Sequence, residues 1–259
     1  MIVTTAVKPS DAHIAKAQQL AEELSGRFVQ REKYSVQNLM EQSDTGSVIV
    51  VTEKEVRLFD VKRPQPFFFH PSMAYVRVKR MMKGEQDPLL VLSRCEKGDH
   101  VIDCTAGLCG DSLVFSYGVG SEGTVIALES EPVLCALVRD GLASYRSNEK
   151  EIDQAMRRIK LNRIDHLQYL KNLPDNSADI VYFDPMFRQP IHESSSMKPL
   201  RRIANTNPLT EEAINEAIRV ARKTVIMKEN GFSDQFEQLG FKKISHTRIG
   251  YGVINVDGQ

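Results

Sequence analysis

From Gly98 onward, short β-branched apolar runs alternate with stretches of helical period, a pattern that predicts βαβ units around a mostly parallel sheet. The expected strands are His100 to Cys104, Thr124 to Glu129, Ile159 to Ile164, Ile180 to Asp184 and Thr224 to Lys228. Ile180-Val181-Tyr182-Phe183 is apolar at every position, which suits a strand covered on both faces. Helices are expected over Asp111 to Tyr117, Pro132 to Tyr145 and Glu211 to Arg222, the last with Thr210 as its cap and two acids facing the helix dipole. Ser233 to Leu239 adds another, stopped by Gly240, and Lys242 to Val256 is expected as two strands around Ile249-Gly250-Tyr251-Gly252, an antiparallel edge hairpin. The fold class is α/β, a doubly wound, Rossmann-like sheet.

The first 62 residues read differently. Ile2 to Thr5 is a strand, a helix runs from Ser10 or Asp11 to Ser25 before Gly26, and strands follow near Val48 to Val51 and Val56 to Phe59. The expected organisation is a small α+β unit over 1–62, a connecting segment over 63–97 and the doubly wound domain over 98–259.

Composition narrows the classes. With 41% hydrophobic and 26% charged residues the chain has the balance of a folded protein, and 34 basic against 34 acidic side chains leave no whole-molecule field to attract a nucleic acid. Local clusters must therefore supply any such attraction. Between Lys62 and Lys83 stand Lys62, Arg63, Arg77, Lys79, Arg80 and Lys83 with no acid among them, interleaved with Phe67, Phe68, Phe69 and Tyr75. Aromatics among cations raise the expectation of an RNA partner above that of a solvated face. No apolar run approaches the ~20 residues of a membrane span, and Met1 is not followed by a basic leader, so a cytoplasmic protein is expected. Cysteines 95, 104, 109 and 135 form no CxxC pair, which argues for reduced thiols and no metal.

The candidate chemistry lies at the ends of the expected strands, where open α/β sheets bind ligands. Val101-Ile102-Asp103 runs into Cys104-Thr105-Ala106-Gly107-Leu108-Cys109-Gly110-Asp111. A pyrophosphate turn would need GxGxxG and amides open to negative charge, whereas here Asp103 and Asp111 flank the loop. A positively charged cofactor, S-adenosylmethionine, suits those carboxylates better. About twenty residues on, Glu129 ends the next strand at the position where an acid accepts ribose hydroxyls. Asp165 and His166 follow the third strand and could meet the adenine edge. Ile180 to Phe183 delivers Asp184-Pro185-Met186-Phe187. There a carboxylate and a carbonyl could align an exocyclic amine, and Phe187 could stack its ring.

At these residues the chain resembles the RsmJ-type small-subunit rRNA guanine-N2 methyltransferases, whose D-A-T-A-G-L-G-R-D, E-R and D-P-M-F-P segments match 103–111, Glu129-Ser130 and 184–188. The resemblance spans about residues 98 to 255. It implies cofactor contacts by Gly110, Asp111, Glu129, Ser130, Asp165, His166 and Asp184, beside the Asp103, Thr105 and Gly107 of the loop. It implies methyl transfer to guanine N2 of ribosomal RNA. The candidate RNA contacts are Arg77, Lys79 and Arg80 of the basic 62–83 stretch, with Arg188 and with Lys198, Arg201 and Arg202, which only loosely echo the family's basic stretch after D-P-M-F-P. Gly110 and Ser130 stand where the family has arginines, which weakens the nucleotide assignment more than the chemistry. The alternatives are a methyltransferase for a small molecule or protein, a non-catalytic RNA-binding module, and a NAD-dependent oxidoreductase, which the missing GxGxxG disfavours.

Overall fold

A computed structural model of the chain describes residues 1–62, 65–185, 205, 207–244 and 248–256. Its contacts divide it into two units, one of Met1–His70 with Pro132–Arg146, the other of Pro71–Glu131 with Ser147–Gln259. Elements are numbered in chain order.

In the first unit β1 (Ile2–Thr5) lies between β2 (Arg27–Phe28) and β3 (Ser47–Val51), parallel to both, and β4 (Val56–Asp60) and β5 (Phe67–Phe68) continue the sheet antiparallel. Helix α1 (Asp11–Glu23) starts where the Ser10 hydroxyl accepts from the His13 amide, and it buries Ala17, Leu20 and Ala21. Helix α2 (Val36–Glu41) covers Ile2, Val48 and Val50 with Leu39. The unit also takes in α6 (Pro132–Ser144), which packs on β4 and β5. The ring of Phe69 occupies the space in front of Gly141, where a Cβ would collide with it. That fit draws α6 to the first unit, although its place in the chain predicts it within a domain over 98–259.

The second unit is built on a sheet of order β11-β12-β10-β9-β6-β7-β8 among the described residues. Strands β6 (His100–Asp103), β7 (Thr124–Glu129), β8 (Ile159–Arg163), β9 (Ala178–Phe183) and β10 (Ala221–Asn230) are mutually parallel. The sheet is completed by β12 (Ile249–Asn255), antiparallel to β10, and β11 (Lys242–Lys243), antiparallel to β12. The chain order reverses at β6, which pairs with β7 on one side and β9 on the other. That is the switch point of a doubly wound sheet.

Strand β9 shows why its sequence reads as one apolar run. Val181 and Phe183 pack into a core with Ile102, Leu128, Ala213, Ala217 and Phe236. Ile180 and Tyr182, pointing the other way, pack with Val101, Phe115, Val125 and Ile226. Around the sheet lie α3 (Ser72–Met82), α4 (Pro88–Leu92), α5 (Gly110–Val119), α7 (Lys150–Arg158), α8 (His166–Lys171), α9 (Glu211–Val220) and α10 (Gln235–Gln238). Thr210 caps α9 as expected, its hydroxyl accepting from the Ala213 amide at 3.2 Å. The helix expected to run to Arg222 ends two residues earlier, because Arg222 forks onto Asp179 at 2.9 and 3.0 Å and the chain is already extended at Ala221. Part of the stretch expected as a connecting segment forms α3, which buries Ala74 and Val78.

Candidate active site

The loop after β6 is tied to both neighbouring strands. Asp103, at 1% exposure, accepts from the Ser112 hydroxyl at 2.5 Å and the Thr105 amide at 3.1 Å, closing the turn into α5. The Thr105 hydroxyl accepts from the Asp184 amide at 2.5 Å, joining the loop to the end of β9. The Gly107 amide donates to Glu129 at 3.1 Å, joining it to the end of β7. Gly107 and Cys109 both take left-handed backbone conformations, φ 51° and 56°. At Gly107 the absence of a Cβ makes that conformation inexpensive. At Gly110 a Cβ would make only an ordinary contact with Ala74, at 3.9 Å.

Charge at the site is uneven. Burial pushes the Asp103 carboxyl up to about 7, against the hydrogen bond from Ser112. Burial likewise raises Glu129 to about 7, although the amides of Glu131, at 2.8 Å, and Gly107 favour its ionised form. Asp111, expected to face a cofactor's positive charge, has its charge met inside the protein. It pairs with Arg77, accepts from the Tyr182 hydroxyl at 2.7 Å and stands 2.8 Å from the Lys228 ammonium. Burial alone would raise its pKa, but Lys228 and Arg77 more than offset that and hold it well below the carboxylate range. Lys228 also stands 2.6 Å from Asp184. Burial pushes Asp184 up and Lys228 pulls it down, leaving it at about 6.

The remaining candidates fall around this centre. Ser130 accepts from the Asn205 side chain at 3.2 Å. Asp165 caps α8 through the Leu167 and Gln168 amides at 2.9 and 3.2 Å. His166 lies edge-on to Phe183, 5.7 Å between ring centroids, and burial lowers its pKa so that it is neutral at pH 7. Pro185 follows Asp184 at the end of β9. Phe187, Arg188, Lys198, Arg201 and Arg202 lie outside the described residues.

The basic stretch carries more partners than its sequence suggests. Arg77 forks onto Asp87, with two contacts of 2.8 Å, and reaches Asp111. Lys79 pairs with Glu149 at 2.7 Å and Arg80 with Glu85 at 2.6 Å. Glu85 and Asp87 lie just past the stretch, while Asp111 and Glu149 are remote in the chain and no local window reveals them. Lys228 and Asp87 were not singled out from the sequence. The rule that selected Asp103, Glu129 and Asp184, a charge at the end of a buried parallel strand, also selects Lys228.

A doubly wound sheet with a glycine loop that lacks GxGxxG and an acid at the end of the next strand suits a class I S-adenosylmethionine-dependent methyltransferase. A family model described as "Putative SAM-dependent methyltransferase" matches residues 32–248. The chain belongs to that family. It is 40% identical over 255 residues, 98% of each chain, to the uncharacterized protein YpiP of Bacillus subtilis. It is 33% identical to ribosomal RNA small subunit methyltransferase J of Buchnera aphidicola, over 52% of this chain and 53% of that protein. With the protein of that name in Coxiella burnetii the identity is 27% over 70% of each chain. A SAM-dependent methyltransferase from Neisseria gonorrhoeae shares the fold, with TM-score 0.66 over 100% of this chain and 97% of that one, at 17% identity.

The cofactor is S-adenosylmethionine, and the residues present suit it. Glu129 offers a buried acceptor at the end of β7, bonded to the same loop whose Gly107 leaves the backbone open to close approach. Among the described residues there is no cluster of metal-ligating side chains and no helix long and apolar enough to cross a membrane.

Proposed function

We propose that the protein methylates an exocyclic amine, most specifically guanine N2 of small-subunit ribosomal RNA. The observation that carries this reading is the Asp184 carboxylate at the switch-point end of β9, its backbone fixed by Thr105 and Pro185 following it. Similarity to ribosomal RNA small subunit methyltransferase J supports the choice of substrate.

Bound cofactor supplies an electrophilic methyl group. The chain's own task is to orient a weak nucleophile, whose lone pair is delocalised into a ring. Asp184 and the Pro185 carbonyl accept the two amine hydrogens and align the nitrogen, and Phe187 stacks the base. With a pKa near 6, Asp184 is ionised at neutral pH and can take the proton that leaves as the nitrogen becomes positive. Glu129 holds the ribose hydroxyls of the cofactor. Lys79 and Arg80, in exposed pairs that a phosphate could replace, position the RNA together with Arg188, Lys198, Arg201 and Arg202.

The test is transfer of labelled methyl from S-adenosylmethionine to small-subunit rRNA from a strain lacking the gene, followed by nucleoside analysis. The expected product is N2-methylguanosine. Label on a ring carbon or a ribose oxygen would overturn the substrate assignment. A methyltransferase for a small molecule is the second reading, favoured by the internal pairing of Arg77, Lys79 and Arg80.

A further inference from the structure

We infer that Lys228 is the positioning residue for proton transfer at Asp184: clamped by Asp111, its ammonium fixes the Asp184 carboxylate and keeps it ionised to receive the substrate's proton. The role rests on the reading of Asp184 as the proton acceptor.

The geometry is that of one ammonium held between two carboxylates. Lys228 contacts Asp184 at 2.6 Å and Asp111 at 2.8 Å, with its side chain only 17% exposed. Asp111 is held from two further sides, by Arg77 from α3 and by the Tyr182 hydroxyl from β9, while Arg77 is itself fixed by its fork onto Asp87. Two cations, Arg77 and Lys228, thus meet three carboxylates, Asp87, Asp111 and Asp184. One negative charge is left uncompensated, and Asp184 has a single-pronged contact with Lys228, where Asp111 touches two cations and Asp87 takes both prongs of the Arg77 fork.

Burial and two charged neighbours set the proton affinity of Asp184. Asp111 on α5 raises it and Lys228 on β10 lowers it. Asp103 on β6 and Tyr182 on β9 feel the Asp184 charge, and His166 of α8 lies edge-on to Phe183. Arg77 and Tyr251, from α3 and β12, face Asp111. Lys228 is the cation in contact with Asp184 among the described residues. In the reaction the nitrogen–carbon bond forms as the methyl–sulfur bond breaks, with its electron pair staying on sulfur. The nitrogen's proton passes to Asp184 and from there to solvent.

The experiment is a pH titration of aspartate side-chain carboxyls by 13C NMR on the full chain, with the Asp184 signal assigned through D184N. In K228M the Asp184 midpoint should rise by about one to three units. In D111N, which removes the neighbouring negative charge, it should fall. K228R should keep it near the wild-type value. General damage to the fold would not move the same signal in opposite directions, and D111N with K228R carries the test if K228M does not fold. An Asp184 midpoint unchanged in K228M, or one that rises in D111N, overturns the role.

Activity then separates this role from the reaction itself. K228M should lose kcat more than KM at pH 7 and regain it as pH rises, once Asp184 ionises. A wild-type protein that transfers no methyl to an amine, with the titrations moving as expected, would remove the proposed reaction and leave the hold of Lys228 on Asp184 standing. An active wild type with an unchanged K228M pH profile would remove the positioning role and leave the reaction standing.

Discussion

The Gly107 amide donates to the Glu129 carboxylate at 3.1 Å, so the loop after β6 and the end of β7 are one hydrogen-bonded unit. Glu129→Ala removes the anchor of the loop and, on the proposed reading, the acceptor for the cofactor's ribose. Affinity for S-adenosylhomocysteine should fall by on the order of 1.5 to 3 kcal/mol in isothermal titration, the range for a charge-assisted bond. Glu129→Gln, which keeps an acceptor, should lose less. Wild-type affinity in the alanine variant would take Glu129 out of the site.

Asp184→Ala should abolish most methyl transfer, and Asp184→Asn should retain more than alanine because its amide oxygen still accepts from the amine. With the wild-type carboxyl at about 6, the rate should climb with pH through that region, as the base ionises. A rate that declines across the same interval, measured with saturating RNA and cofactor, would show that the protonated acid is the working form.

Arg77, Lys79 and Arg80 should separate in a way their spacing does not suggest. Arg77→Ala strands Asp87 and Asp111 without their guanidinium, and breaking such a pair costs ~3 to 5 kcal/mol when fully buried, an upper bound for the partly exposed Arg77. The loss should appear as a lower denaturation midpoint. Lys79→Ala and Arg80→Ala break solvent-screened pairs of little consequence for stability. Their effect should fall on RNA affinity, with the salt slope reduced by roughly 0.7 to 0.9 for each phosphate that the variant no longer neutralises. Unmoved RNA affinity in the Lys79→Ala, Arg80→Ala double variant would make these two residues a solvated face.

Stability should carry the signature of Asp103. Its carboxyl is raised by burial from an ordinary value near 3.9 to about 7. Its contribution to stability is therefore fully present below about pH 4 and is lost as pH rises through 7, by on the order of a few kcal/mol. Asp103→Asn should flatten that stretch of the stability curve. Urea unfolding of both proteins from pH 4 to 8 reads the difference directly, and parallel curves would mean that Asp103 stays ionised throughout.

In the first unit, Gly141→Ala would drive a methyl group into the Phe69 ring. Overpacking of this kind costs ~1 to 3 kcal/mol, although alanine is the better helix former. A stabilised Gly141→Ala variant in thermal melts would mean that Phe69 can turn aside.

Elements whose signal is local were legible in the chain alone. The apolar runs of β6, β7 and β9 and the cap of α9 follow from residues a few positions apart, as does an antiparallel edge hairpin, although Ile249-Gly250-Tyr251-Gly252, expected between its strands, lies inside β12. So do the strand-end acids Asp103, Glu129 and Asp184, because a parallel strand must deliver whatever follows its apolar run to the same edge of the sheet. Which charges meet was settled by the folded chain instead. Residues 77, 111, 184 and 228 belong to four different segments, and their pairing depends on α3, α5, β10 and the end of β9 converging at one place. Asp111 is accordingly an ion-paired hub, and Arg77 is held by its own protein's carboxylates. The partition of α6 was equally out of reach, since its apolar residues, buried at every position from Leu134 to Val138, record that the helix is covered but not which surface covers it.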